Sequence, residues 1–288
     1  MKTNQIDETA KIHPNIILGK FNRIGKNVVI DMVGENPNIF ASIGDNNIIN
    51  DNTRILIYGK LMIGDWNVFH NDMLIMAEDN LTIGHNCWFG QNTILDGAGG
   101  LEIGNGVRVG MYSQIWTHIA SGEQIEGCIF YSKRKTVIKD NVWLVGSCVV
   151  GSGVVLGERS TILINSVVTK DTLTDKVYSG SPARIMEKLS VYLPKNVEEK
   201  FEMLKNWIQE FVDVNSKNYQ LEVQGNELLL RNLDNDENVI FTKSELKIAD
   251  KSISVFYLVD KTFNKINSLT ERTIYKFLYG NKARFLPA

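Results

Sequence analysis

Four histidines (His13, His70, His85 and His118) and three cysteines (Cys87, Cys128 and Cys148) are the side chains of this 288-residue chain most suited to proton transfer, nucleophilic attack or metal binding. The cysteines have neither metal-ligand spacing nor an even count, which fits free thiols in a reducing cytoplasm. No phosphate-cradling glycine loop of the Walker or dinucleotide type is present, and no His/Cys/Asp cluster has the spacing of a metal site. Among these side chains histidine is the one whose neutral imidazole is available near neutrality to take a proton, were the chain to need a base. His13, His70 and His85 fit corner or surface positions. His118 differs by its place: it directly precedes a break in an otherwise regular pattern.

That pattern is a repeat. The tetrads Ile43-Gly44-Asp45-Asn46, Ile63-Gly64-Asp65-Trp66, Ile83-Gly84-His85-Asn86 and Ile103-Gly104-Asn105-Gly106 recur every 20 residues. Within each unit an aliphatic or aromatic residue returns at a step of six, as in Ile43, Ile49, Ile55 and then Ile63, Phe69, Ile75. Each unit is three hexads plus two residues. Uninterrupted hexads follow at Ile138, Leu144, Val150, Leu156, Ile162 and Val168, each shadowed by a compact residue such as Val142, Cys148, Val154, Ser160 or Ser166. A period of six excludes an amphipathic helix, whose apolar face recurs every 3.6 residues. Six residues make a short strand and a corner, so three hexads close one coil of a parallel β-solenoid with the large aliphatics on its axis. Between Ile115 and Ile138 the rhythm slips, and about 15 residues leave the solenoid as a loop that begins at His118.

With these residues in view, the chain resembles the hexapeptide-repeat acyltransferases, and within them bacterial sugar and capsule O-acetyltransferases. The resemblance covers roughly residues 13–190. It is densest in VIKDNVWLVGSCVVGSGVVLGERSTILINSVVTKD (137–171) and in YSGSPARIMEKL (178–189). It implies a mainly β fold, a left-handed parallel β-helix over residues 1–194 with an insertion at about 119–136. It also implies acetyl-CoA as co-substrate, a sugar or polysaccharide acceptor, and a homotrimer with active sites between subunits.

The resemblance makes His118 the catalytic base. Asn92 and Asp96, in FGQNTILDG about one coil earlier, then become acceptor-binding candidates, although Asn92 equally suits an ordinary corner. Glu123, in the loop, is a candidate for the acceptor or for orienting His118, or is simply solvated. For the CoA groove the candidates are Trp143, Gly146, Ser147, Lys170 and Arg184. The small residues would admit the pantetheine arm and offer amide donors. Trp143 would lie near the acyl group or cover a corner, and Lys170 and Arg184 would meet the adenine and phosphate end. The triplet Lys133-Arg134-Lys135 could attract CoA phosphates or an anionic acceptor.

After Pro194 the hexads stop. Val197, Phe201, Leu204, Ile208 and Phe211 recur at helical spacing, predicting a helix over 196–214. YQLEV, NELLLRNL, NVIFT, LKIAD and SISVFYLVD predict a small antiparallel sheet. A last helix, capped by Ser268 or Thr270 and stopped by Gly280, completes a small α+β appendage at 195–288.

Composition narrows the function classes. Thirty-one basic and 33 acidic residues give a net charge of −2, so no global positive field points to nucleic acid or anionic membrane. No apolar run reaches the ~18 residues that span a bilayer. The start, MKTNQIDETAKIHPN, is too polar for a signal-peptide core, so a cytoplasmic location is expected. The expected function is O-acetylation of a sugar in surface polysaccharide assembly. The alternatives are N-acetylation of a nucleotide-linked amino sugar and a non-catalytic solenoid scaffold.

Overall fold

The structure, a computed structural model, describes residues 3–34, 37–235, 237–244 and 252–288. The chain divides into two compact units, Met1–Tyr192 and Leu193–Ala288.

The first unit is a left-handed parallel β-helix whose three faces are sheets of ten, eight and seven strands, all paired in parallel except Val177–Gly180 with Ala183–Ile185, an antiparallel pair that closes the first face. Ile48–Ile49 lies on the first face, Arg54–Ile57 on the second and Lys60–Ile63 on the third, and Val68–Phe69 returns to the first. The register advances by 20 residues per coil, from Ile48 to Val68 to Trp88 to Arg108. It then jumps by 35 from Arg108 to Trp143, and settles to 18 from Trp143 to Thr161. One coil is therefore 15 residues longer than its predecessors, the length expected of the excursion.

The two residues beyond three hexads lie at one place. From Arg54 to Ile103 the strands of the second and third faces are three or four residues long, but they shorten to two in the hexad region, as in Val149–Val150 and Val155–Leu156. The extra length falls at the corner between those faces, and the excursion leaves from the same corner. The solenoid lengthens where its cross-section already has slack.

The axis is filled by the six-step residues. Ile43, Ile49, Ile55, Phe69, Ile75, Phe89, Leu144, Val150 and Leu156 are all at most 2% exposed, and Phe69 stacks on Phe89 at 5.1 Å. The other two corners turn through left-handed backbone, which asparagine tolerates better than other non-glycine residues. Asn46, Asn52, Asn86, Asn92, Asn141 and Asn165 all have φ between 58° and 61°. Beneath one corner the buried Asn47 and Asn67 form a ladder. Asn67 N–H donates to Asn47 Oδ1 at 2.8 Å and Asn47 Nδ2 donates to Gly64 O at 2.9 Å, so backbone groups enclosed by the turn keep partners. Cys87 continues the ladder, its N–H donating to Asn67 Oδ1 at 2.8 Å and its thiol to Gly104 O at 3.1 Å.

In the second unit, helix α1 (Val197–Val214) opens with a capping box between Asn196 and Glu199 and buries Phe201, Leu204, Ile208 and Phe211. The six-stranded sheet is mixed, not antiparallel as the strand patterns predict. Tyr219–Gln224, Glu227–Asn232 and Asn238–Thr242 form an antiparallel meander, but Ser254–Tyr257 runs parallel to Asn238–Thr242, and Leu286–Pro287 parallel to Thr262–Phe263. Parallel pairing needs the chain to cross back between its strands, which local alternation does not encode. The predicted strand at 246–250 lies outside the described residues. Helix α2 (Leu269–Leu278) is capped by Ser268, whose hydroxyl accepts from Glu271 N–H at 3.1 Å, and ends with Tyr279 as C-cap, just before Gly280.

Candidate active site

The site grows from the lengthened corner. After Ile115 the chain does not turn onto the third face. It runs out through His118–Ala120, makes a short 3₁₀ turn at Gln124–Glu126, and returns antiparallel through Tyr131–Lys133 before Thr136–Ile138 rejoins the solenoid. The excursion is a β-hairpin, and His118 is its first residue.

Asp96 closes the coil beneath. It continues the outer row of the second face, paired in register with Met76, yet its side chain is fully buried because Thr117 and His118 fold over it. His118 Nδ1 lies 2.9 Å from Asp96 Oδ2. The same oxygen accepts from Thr117 N–H at 2.7 Å and from the Thr117 hydroxyl at 2.8 Å. Burial pushes the Asp96 carboxyl upward, but the Thr117 amide, the His118 ring and the Thr117 hydroxyl outweigh it and hold the group below its ordinary range. An ionised carboxylate only accepts, so Nδ1 carries a proton, and in the neutral ring the lone pair falls on Nε2. The imidazole is 40% exposed and meets the Trp116 ring edge-on at 6.1 Å.

Thr117 is the junction of three coils. Its carbonyl accepts from Arg134 N–H at 2.9 Å and from the Ser152 hydroxyl at 2.8 Å, and its hydroxyl accepts from Gly99 N–H at 2.8 Å. Ser132 and Ser152 hydroxyls are 3.0 Å apart, and Arg134 donates to Ser132 Oγ and Ser152 O. Gly99 must lack a side chain: a Cβ there would meet Thr117 O at 2.3 Å and Arg134 N at 2.6 Å. Sequence reasoning did not single out Thr117, Ser132 or Gly99, and it read Ser152 only as a small residue of the CoA groove, whereas its hydroxyl is committed to Thr117 O. The signal was the compact run Asp96-Gly97-Ala98-Gly99-Gly100 one coil ahead of the break.

Several expectations change. Asp96 does not face an acceptor; it is enclosed behind His118 and orients it. Glu123 does not orient His118: it precedes the 3₁₀ turn on the exposed hairpin, and no hydrogen bond or ion pair joins the two among the described residues. Asn92 occupies a left-handed corner with φ 58° in the same column as Asn52, Asp72, Tyr112 and Asn165, a placement that accounts for it without an acceptor. Ser147 offers no free amide, because its N–H donates to Met111 O at 2.8 Å, and Gly146 is buried with its carbonyl accepting from Asn165 N–H at 3.1 Å.

The remaining CoA candidates fall on separate edges. Lys170 is exposed on the same corner edge as His118, two coils on. Trp143, 41% exposed, lies on the first face, and Arg184 lies in the hairpin that ends that face. Within one chain a whole face separates them from His118. Of the basic triplet, Lys135 is paired with Glu102 at 2.5 Å and Arg134 is tied to the two serines, while Lys133 has no ion-pair partner among the described residues. Among the described residues no group of three or more His, Cys, Asp or Glu could hold a metal ion, and no helix is long and apolar enough to cross a membrane.

No protein-family model matches the chain. It is similar to a galactoside O-acetyltransferase of Lactococcus lactis, 26% identical over 176 residues that make up 61% of this chain and 76% of that protein. It is also similar to the galactoside O-acetyltransferase of Escherichia coli, 27% identical over 153 residues, 53% of this chain and 66% of that protein, just under two thirds of its length. Among solved structures, a hexapeptide-repeat containing acetyltransferase of Vibrio cholerae, complexed with acetyl coenzyme A, is 19% identical over 66% of this chain and 70% of that one, with a TM-score of 0.29.

Proposed function

For this chain, a hexapeptide-repeat acyltransferase, we propose acetyl transfer from acetyl-CoA to a sugar hydroxyl, as a cytoplasmic O-acetyltransferase in the assembly of a bacterial surface polysaccharide, with His118 as general base. The observation that carries the reading is the buried Asp96 beside His118 at the root of the hairpin. It leaves a lone pair on an accessible Nε2, which is what activation of a neutral alcohol requires.

Transfer is direct. The acceptor hydroxyl gives its proton to His118 Nε2 as its oxygen bonds to the thioester carbonyl carbon. The tetrahedral intermediate collapses, the carbon–sulfur bond breaks, and the CoA thiolate leaves with the proton returned by the imidazolium. Asp96 keeps its negative charge throughout and offsets the transient positive charge on the ring.

The CoA groove is completed by a second subunit of a homotrimer. Trp143 and Arg184 lie on a different face from His118 within one chain, and a neighbouring copy would unite the two sets. The hairpin carries apolar side chains suited to that contact: Ile125 is 90% and Ile129 95% exposed.

Incubation with labelled acetyl-CoA and a panel of polysaccharides and nucleotide amino sugars, followed by mild base, tests the reaction class. Label released by base is an ester and supports the reading. Label that stays is an amide and replaces it with N-acetylation, and no labelled product returns the chain to a scaffold.

A further inference from the structure

The hairpin pairs His118 directly with Lys133, and Ala120 with Tyr131. Residues directly opposite in an antiparallel pair, and those two positions along, project from the same face. His118, Lys133, Ala120 and Tyr131 therefore share one face of the hairpin, while Ser132 turns to the other and meets Ser152. Opposed Cβ atoms lie about 4.5 to 5.5 Å apart and diagonal ones about 7 to 8 Å. The short side chain of Ala120 thus leaves a notch beside His118, bounded by Tyr131, which is 55% exposed, and by Lys133. A gap of that spacing would admit one pyranose ring, with the aromatic ring against its C–H face and the base toward a hydroxyl.

We infer that this notch is the acceptor subsite, and that the sugar it takes carries an anionic substituent paired with Lys133. The inference rests on His118 being the base. Three further points support it. Lys135, two residues on, is neutralised by Glu102, and Arg134 is held at the hairpin root, so Lys133 is the cation of the triplet left to a ligand. Asp96, the carboxylate nearest His118, is enclosed and hydrogen-bonded, and so does not repel an anion in front of the ring. CoA does not account for Lys133 either, since the acyl group must be at His118 and the CoA phosphates sit at the far end of the pantetheine arm.

Equilibrium binding of galacturonate, its methyl ester, galactose 6-phosphate and methyl galactoside, measured without acetyl-CoA, tests the proposal independently of whether transfer occurs. Wild type should bind one or both anions about three- to fivefold more tightly than the neutral sugars, as an exposed charge pair allows. The carboxylate and phosphate arms identify which anion fits. Lys133→Gln should bring the anions within twofold of the neutral sugars, Lys133→Glu should invert the preference, and Ala120→Leu should weaken all four by filling the notch. Wild-type affinity for both anions no greater than for the neutral sugars, binding of none of the four, or equal weakening of the preferred anion and the neutral sugars by Lys133→Gln would each overturn it. Absence of acetyl transfer with these binding results intact would instead contradict the reaction assignment alone.

Discussion

Asp96 Oδ2 and His118 Nδ1 are 2.9 Å apart, with the carboxylate wholly enclosed and the imidazole open to solvent. The two residues are 22 positions apart, one coil and two residues, so the regular stacking of the solenoid sets the pair. The hydrogen bond holds the ring and selects its tautomer; the Thr117 amide and hydroxyl hold the carboxylate.

Asp96→Asn should lower the acetyl-transfer rate by roughly 100-fold or more, since an amide in that place no longer enforces a protonated Nδ1. Acetyl-CoA affinity should stay within twofold, because Asp96 has no exposed atom. Steady-state kinetics beside equilibrium CoA binding check this, and equal losses in both would make Asp96 a folding residue only.

The same carboxylate predicts a pH dependence of stability. Its pKa is lowered in the folded state, so its contribution is fully present above the ordinary carboxylate range and is lost as pH falls through the depressed value. The stability difference between wild type and Asp96→Asn, from denaturant titrations, should be largest near neutrality and shrink on acidification below about pH 4. A difference that grows in acid would contradict the pairing.

Thr117→Val removes the hydroxyl that donates to Asp96 and accepts from Gly99 N–H, while Thr117→Ser keeps both bonds. The valine variant should lose about 1 to 3 kcal/mol of stability, as expected when buried partners are left unsatisfied, and serine should restore most of it. Equal effects of the two would mean that packing of the methyl group, not the hydroxyl, matters here.

Gly99→Ala should disturb the hairpin root, where its Cβ would sit 2.3 Å from Thr117 O. Gly127→Ala has open space around its Cβ but a φ of 88°, so it should cost only local backbone strain at the tip. Transfer rates should fall much further for Gly99→Ala than for Gly127→Ala. The reverse order would show that the tip, not the root, controls the site.

Much of this was legible in the sequence because a period of six is visible residue by residue: Ile43, Ile49 and Ile55 announce the axis, and the 23-residue step from Ile115 to Ile138 gives the excursion its length. The hairpin's partners were not legible. Ser152 looks like a groove residue in its hexad, yet its hydroxyl is committed to Thr117 O across 35 residues. Asp96 looks like an acceptor ligand until Thr117 and His118 are folded over it. Ser147 looks like a free amide until its coil is stacked under Met111. Parallel pairing of Ser254–Tyr257 with Asn238–Thr242 escaped for a similar reason, since strand direction is decided by a crossover and not by alternation.

His118→Ala tests the central claim most directly. With acetyl-CoA binding retained, the rate of acetyl transfer to the preferred sugar should drop at least about 100-fold, within the range expected for loss of a positioned base. Transfer within twofold of wild type, with binding intact, would contradict the account.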